Sequence, residues 1–187
     1  MNRFVSLLSI PVLAASLGGP PTSHRTNNST FREEVDGLSV FAGSYPASLG
    51  AGDAYVPVPV AVALMRTGAS IVFTPESFTL EDAKGNRVPA AGFLEVKNGY
   101  PKLGFDRNLI RTWPIEVGTT IADRTRIASN FYPPTGAGTR VARVELAPFS
   151  WFTDVIYFPR PPAGLGGVMT LSVAVGRGDP IHVAFSL

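Results

Sequence analysis

The chain has 187 residues, of which 45% are hydrophobic and 16% charged, so it can bury the core of one domain and is not intrinsically disordered. Its 16 Lys and Arg against 14 Asp and Glu form no basic run, which argues against a nucleic-acid-binding protein. The lack of cysteine excludes disulfides, thiolate metal sites and cysteine nucleophiles, while 19 Gly and 17 Pro favour many short strands.

The N-terminal residues have the pattern of an export signal. A basic start, Met1–Arg3, precedes the apolar run FVSLLSIPVLAAS, which ends in small residues suited to cleavage. The run is shorter than the roughly 20 residues of a transmembrane helix. We therefore predict a signal peptide over 1–16, a flexible leader over 17–34 and a single domain over 35–187. The protein is expected in the periplasm, on the cell surface or outside the cell, with no membrane span after cleavage. The alternatives are an uncleaved anchor and a buried N-terminal strand.

The first half of the domain alternates apolar segments with turn signals. Strands are predicted over 38–45 and 54–65, and in the second strand alternate aliphatic residues share one face. Pro57 and Pro59 lie on the other face and cannot donate ladder hydrogen bonds, so this strand is expected to begin along a sheet edge. SIVF and SFTLED are two further strands separated by the turn TPES, and DAKGN is a hairpin connection.

The second half continues the pattern. GFLEVKNGYPKLGF is expected to form strands around a turn at Asn98-Gly99, and one or two helical turns are expected over 106–113. Later strands are predicted over 119–129, 139–147, 151–158, 168–175 and 180–187. The connection GRGDP contains an RGD tripeptide, but every residue in it suits a hairpin turn. The pattern predicts an all-β fold of two packed antiparallel sheets, with about eight to ten strands and at most one short helix.

The segment YVPVPVAVALMRTGASIVFTPESFTLEDAKGNRVPA resembles immunoglobulin-like extracytoplasmic domains of bacteria that have no assigned function. The matching residues are Val58, Val60, Val62, Pro75, Phe78, Leu80, Asp82 and Gly85. The C-terminal strands look like the closing strands of the same domains, whereas residues 65–67 depart from the pattern and residues 98–135 read as an insertion. The resemblance implies an exported immunoglobulin-like β-sandwich. It supplies no catalytic residue, because such domains are mostly accessory or binding modules.

Candidate catalytic and metal-binding residues are few. The chain has two histidines, and His182 with Asp179 and Ser186 forms a weak Ser/His/Asp set that a surface histidine beside a turn explains as well. The acidic pair Glu81-Asp82 lacks EF-hand spacing, and the Gly-rich stretches precede strands instead of helices. We therefore predict a protein that is not an enzyme and has no catalytic residue, metal or cofactor.

Arginines with neighbouring aromatic residues are the most suggestive polar feature. The set comprises Arg107, Arg111, Arg124, Arg126, Arg140 and Arg143. Arg124 and Arg126 are two residues apart and would project from one strand face. Arginine and aromatic residues are enriched at protein–protein contacts. The predicted partner-binding residues are Arg124, Arg126, Trp113, Phe131, Tyr132 and Trp151. Interspersed carboxylates leave ordinary surface ion pairs as an alternative explanation.

Three hypotheses follow for function. The first is an exported non-enzymatic binding or structural module, an accessory subunit that contacts a larger protein partner. The second is a carbohydrate-binding module that stacks sugars on Trp113, Tyr132 or Trp151, which requires these rings to be exposed. The third is an unrecognised hydrolase, which requires a polar cleft that contains His182.

Overall fold

Strands form most of the regular structure of the computed structural model, which describes residues 23–25, 29–49, 53–111, 113, 121, 123–176 and 178–186. The predicted signal peptide, part of the predicted leader and Arg177 of the RGD tripeptide lie outside the described residues. The prediction of a β-rich protein is confirmed.

The strands are β1 (His24–Arg25), β2 (Thr30–Val35), β3 (Leu38–Gly43), β4 (Tyr55–Leu64), β5 (Ile71–Phe73), β6 (Phe78–Glu81), β7 (Arg87–Pro89), β8 (Thr125–Arg126), β9 (Val144–Leu146), β10 (Ser150–Pro159), β11 (Val168–Val173) and β12 (Ile181–Ser186). The α-helices are α1 (Tyr45–Leu49), α2 (Phe93–Gly99) and α3 (Leu103–Leu109), and a 3-10 turn spans Pro75–Ser77. Among the described residues, no helix has both the length and the apolar character needed to cross a membrane.

The first sheet has the strand order β1-β2-β3-β4-β10-β8. At its centre β4 and β10 pair antiparallel over their whole lengths, and both are buried on both faces. The pairing of β3 with β4 stops at Ala42 and Val60, so Tyr55–Pro59 pair with β10 alone. Pro57 and Pro59, which have no N–H to donate, therefore lie in the part of β4 that has no second strand paired beside it. This agrees with the prediction that β4 begins along a sheet edge.

The second sheet has the order β12-β11-β6-β7, and β5 pairs with β9 in a two-stranded sheet. Side chains from the two larger sheets form one apolar core, in which the rings of Phe31 and Phe185 lie 6.3 Å apart. Phe73 of the small sheet packs on Phe152 of β10 at 5.6 Å. Burying one such side chain contributes about 1.5–3 kcal/mol, so these rings bind the sheets together.

The closing hairpin is confirmed. β11 and β12 pair antiparallel from Val168 opposite Ser186 to Val173 opposite Ile181, so residues 174–180 connect the two strands. Within this connection Gly178 donates its N–H to the carbonyl of Val175 at 3.1 Å. The hairpin interpretation of GRGDP thus agrees with the pairing on both sides of it.

The prediction of at most one short helix is wrong. Residues 93–99 and 103–105, expected to form strands around Asn98-Gly99, form α2 and the start of α3 instead, whereas residues 106–109 are helical as predicted. Val96 of α2, Tyr100 directly after it and Leu103 of α3 are buried at intervals of four and three residues, whereas strand alternation would have required a period of two. The Glu95 carboxylate also accepts the N–H of Gly92 at 3.0 Å and so satisfies a free donor at the start of α2.

Two further expectations need correction. The first sheet is not wholly antiparallel, because β8 runs parallel to β10. Of the strand expected over 119–129, residues 119, 120 and 122 lie outside the described residues, and β8 spans two of the residues described. Strands also begin before residue 35, since β1 and β2 lie in the range predicted as a flexible leader. The sequence signal for β2 was the dipeptide Asp36-Gly37. Both residues have positive φ, 49° and 72°, as a two-residue hairpin turn requires.

Candidate functional site

The candidate site starts at the outer edge of the first sheet, where β8 lies beside the beginning of β10. Thr125 donates its N–H to the carbonyl of Phe149 at 3.2 Å, and Ile127 donates to the carbonyl of Trp151 at 2.7 Å. Because alternate residues of a strand direct their backbone groups to opposite sides, Arg126 directs its N–H and carbonyl away from β10. The segment from Arg124 to Ala128 therefore forms the outer edge of the sheet here.

Two arginine side chains of this edge lie on aromatic rings. The guanidinium carbon of Arg124 is 5.1 Å from the ring centre of Phe149, and that of Arg126 is 5.3 Å from Trp151. Arg126 also donates to the hydroxyl of Thr153 at 3.0 Å, and the Trp151 indole donates to the carbonyl of Arg124 at 3.2 Å. Stacking attracts a guanidinium through its face and leaves N–H donors at its edges for an oxyanion.

A cavity of about 510 Å³ adjoins the stacked arginines. Its lining comprises Arg107, Ile110, Arg111, Arg126, Ile127, Ala128, Ser129, Thr153 and Asp154. Arg107 and Arg111 come from the end of α3 and the residues after it, so the cavity lies between that segment and the edge formed by 126–129. Cavities of this size hold small ligands or a side chain of a partner.

Arg107 is held in place by a second layer of polar contacts. It donates to the side-chain oxygen of Asn130. Asn130 is buried and donates to the carbonyls of Ala137 and Thr139 at 3.3 and 3.1 Å. These bonds fix the amide, which in turn orients the guanidinium toward the cavity.

Asp154 is the carboxylic acid of the cavity lining. It is 5% exposed, and it accepts the N–H groups of Phe131 and Val155, each at 2.9 Å. Burial raises the pKa of Asp154 to about 6, although these two N–H groups and the charge of Arg107 act in the opposite direction. The carboxyl therefore changes charge in mildly acidic solution, where the cavity becomes more positive.

We call Arg107, Arg111, Arg124 and Arg126 the arginine surface. The ion pairs found among the described residues involve other cations, namely Arg32, Arg87, Lys102 and Arg143. Ordinary surface ion pairs, the alternative explanation for the arginine set, thus account for Arg143 but for none of these four. Arg140 lies elsewhere, with its guanidinium 4.9 Å from the ring centre of Phe93.

The predicted aromatic contact residues are in the interior. Trp113 and Trp151 are each 7% exposed and belong to a small core cluster with Phe41 and Ile121 on one face of the first sheet. Phe131 and Tyr132 belong to the main core. The rings of these four residues are not presented to solvent in this chain, and their part in binding a partner stays a prediction. Trp151 acts from below, as the support on which Arg126 stacks.

Sequence reasoning missed Phe149, Thr153 and Asp154, and it did not commit to Arg107 and Arg111. One signal was present in the sequence. The dipeptide Thr153-Asp154 interrupts the otherwise apolar strand WFTDVIYF, and a buried carboxyl in such a run needs polar partners. Phe149 has φ of 56°, a left-handed conformation that is strained for a residue with a bulky side chain.

The weak Ser/His/Asp set is not assembled. His182 hydrogen-bonds through Nδ1 to the hydroxyl of Ser172 at 2.8 Å, and Ser172 is its direct neighbour on β11. The pair lies in a cavity of about 230 Å³ that Glu76 and Arg87 also line. In the described part of the chain, no group of three or more His, Asp or Glu side chains could hold a metal ion.

Comparisons with protein-family models, curated proteins and solved structures find no match for this chain. The geometry of the site is therefore the basis for assigning a function.

Proposed function

We propose that the chain is an exported, non-enzymatic module whose arginine surface binds an acidic region of a larger protein partner. The observation that carries this proposal is the pair of guanidinium groups of Arg124 and Arg126. Both lie on aromatic rings, and no ion pair to a carboxylate is found for either among the described residues.

Electrostatics supports an anionic partner. Arg107, Arg111 and Arg126 line one cavity that has a single carboxyl, Asp154, so positive charge prevails there and an oxyanion offsets it. Guanidinium groups suit carboxylates because two parallel N–H groups match the two carboxylate oxygens. The stacks on Phe149 and Trp151 also reduce the side-chain freedom that binding would otherwise remove.

The proposed architecture is an immunoglobulin-like β-sandwich. The shared core of the two larger sheets supports face-to-face packing, and the resemblance of residues 55–90 supports the immunoglobulin-like arrangement. In such a sandwich the edge formed by 124–128 would lie at one side of a sheet, where a large partner can reach it. The carbohydrate hypothesis loses support, because Trp113, Tyr132 and Trp151 are buried and offer no exposed stacking platform.

The test is site-specific photo-crosslinking in the native host. A photoreactive residue replaces Thr125, which is exposed on the edge strand and projects from the face opposite to the two stacked arginines. It therefore reports a partner along this edge without replacing an arginine contact. We expect one protein to be crosslinked in the extracytoplasmic fraction and the crosslink to be lost in the double variant Arg124→Glu/Arg126→Glu. Arg143→Glu is the matched control, because it makes the same charge change per residue at a distant exposed position.

Several outcomes contradict the proposal. Recovery of the chain only in the cytoplasmic fraction contradicts export. A crosslink that survives the double variant contradicts the role of the arginine surface, as does an equal loss in Arg143→Glu. A crosslinked protein without an acidic contact region contradicts the proposed charge complementarity.

A further inference from the structure

We propose that the arginine surface recognises an extended segment of the partner that carries carboxylates at alternate residues, with successive carboxylates at Arg124, at Arg126 and in the cavity. This inference rests on the proposed function and specifies the chemistry of the partner. It follows from the spacing of the arginines, from the unused backbone groups of the edge and from the position of the cavity.

The spacing of the stacked arginines matches an extended chain. Arg126 lies in β8 and Arg124 one residue before this strand, and alternate residues of an extended strand lie about 6.6 Å apart. Their supporting rings, Phe149 just before β10 and Trp151 within it, are also two residues apart, so the two stacks lie side by side. An extended partner places every second side chain on one face at that same period, whereas adjacent carboxylates would point to opposite faces.

The backbone of the edge is suited to an extended partner. Thr125 and Ile127 use their N–H groups toward β10, which leaves the backbone of Arg126 directed outward. Side chains cover little of this edge, since Thr125, Arg126 and Ala128 are exposed. A partner strand can pair with such an edge through main-chain hydrogen bonds while its side chains supply specificity.

The cavity provides the third position. It opens beside Ala128, which is two residues beyond Arg126 and so continues the period of the stacks. A carboxylate that enters there meets Arg107 and Arg111, which together with Arg126 outnumber the single carboxyl of the lining, Asp154. The subsites therefore follow in the order Arg124, Arg126 and cavity, and one extended segment of the partner occupies all three.

Two peptides of equal composition test the inference. TETETETETET carries its glutamates at alternate positions, whereas EETTEETTETT carries them in blocks in which no two glutamates are two residues apart, with the same length and charge. Binding of each fluorescently labelled peptide to the purified chain is measured by fluorescence polarisation at low and moderate salt. We expect the alternating peptide to bind at least about tenfold more tightly, because an extended block peptide cannot place carboxylates at Arg124 and Arg126 together.

Variants locate the subsites. Arg124→Gln, Arg126→Gln and Arg107→Gln are each expected to weaken the alternating peptide several-fold and to reduce the preference over the block. Arg143→Gln is the control and is expected to leave binding unchanged. Thermal unfolding of every variant shows whether a loss of binding reflects a loss of the fold.

The outcomes separate this inference from the proposed function. Equal binding of the two peptides, binding of neither, or tighter binding of the block overturns the inference, and so does binding of a sulfated polysaccharide in place of both peptides. If the Thr125 crosslink is nevertheless lost in Arg124→Glu/Arg126→Glu, the protein partner stands and only the alternating pattern fails. If that crosslink is absent as well, the proposed function fails with it.

Discussion

Two buried carboxyl groups in different parts of the molecule behave in opposite ways. Asp82 lies in the hairpin connection between β6 and β7, and Asp154 lies in the wall of the arginine-lined cavity. Burial acts to raise both pKa values. At Asp82 it is outweighed by the side chain of Asn86 and by the backbone N–H groups of Asn86, Lys84 and Ala163, so that pKa is lowered. At Asp154 burial prevails and the pKa is raised.

The difference lies in the supply of donors. The carboxylate of Asp82 receives four hydrogen bonds, at 2.9, 3.0, 2.9 and 3.2 Å. Asp154 receives two from the backbone, and its cationic neighbour Arg107 is also engaged with Asn130. Burial alone therefore does not decide in which direction the pKa of a carboxyl shifts. Hydrogen-bond donors that face the carboxylate lower its pKa, and enough of them outweigh burial, so that the fold favours the charged form. Asp82 is a structural residue, whereas Asp154 lines the cavity of the proposed binding site and changes charge in mildly acidic solution.

Removing the well-satisfied carboxyl is expected to have the largest effect. Asp82→Ala leaves the N–H groups of Lys84, Asn86 and Ala163 without their acceptor. We expect the unfolding temperature to fall on the order of 10 °C, as measured by circular dichroism. Asp179→Ala is the matched control, since Asp179 is exposed in a turn, and it should change little. Equal effects of the two variants would mean that the donors do not explain the difference between Asp82 and Asp154.

The pH dependence of stability is expected to identify Asp154. Its folded pKa of about 6 exceeds the ordinary 3.8, so the folded chain binds more protons than the unfolded chain between these values. This group's contribution to stability is therefore most favourable below pH 3.8 and is lost as pH rises to about 6, by about 3 kcal/mol in total. Asp154→Asn should remove this part of the pH dependence, measured by denaturant unfolding at pH 4 to 7. Asp123→Asn, at an exposed site, should leave it unchanged, and a pH profile unaltered by Asp154→Asn would contradict the assignment.

A third buried carboxyl, Asp106, extends the comparison. It lies in α3 and accepts a hydrogen bond from the Tyr157 hydroxyl at 3.3 Å. Burial raises the pKa of Asp106, although Tyr100 and Tyr157 act to lower it. Tyr157→Phe removes one of the few donors and should destabilise the fold by about 1–2 kcal/mol. Tyr45→Phe, at an exposed tyrosine, is the control for denaturant unfolding, and equal stability of both variants would show that the hydroxyl contributes nothing.

The smallest expected effect on stability is at Phe149. Its positive φ is relieved in Phe149→Gly, which should offset the loss of the stack on Arg124 and leave stability within about 1 kcal/mol of the original. Binding of the alternating peptide should nevertheless weaken several-fold, because the Arg124 guanidinium loses its support. Phe149→Leu keeps the strained conformation without the ring and separates the two contributions. Unchanged binding in both variants would show that the stack does not organise the surface.

Local patterns predicted a good part of the fold. Alternating aliphatic residues identified β11 and β12, because a strand buried on one face imposes a period of two, and they also identified β4, which is buried on both faces. The prolines of β4 predicted its half-paired beginning. The failures occurred where two periods compete, as in 93–105, where tertiary burial of Val96 and Leu103 selects helices. The helical turn predicted over 106–113 is present in α3 as far as Leu109.

For the candidate site, too, one part could be predicted from the sequence and another part could not. The sequence by itself determined that Arg124 and Arg126 are two residues apart, a spacing that lets both side chains lie on one side of an extended chain because the period of a strand is two. Only the tertiary structure decided that β8 pairs parallel to β10, that Phe149 and Trp151 support these guanidinium groups, and that Arg107 and Arg111 join Arg126 at one cavity with Asp154. These contacts join residues far apart in the chain, and no local period encodes which of them meet.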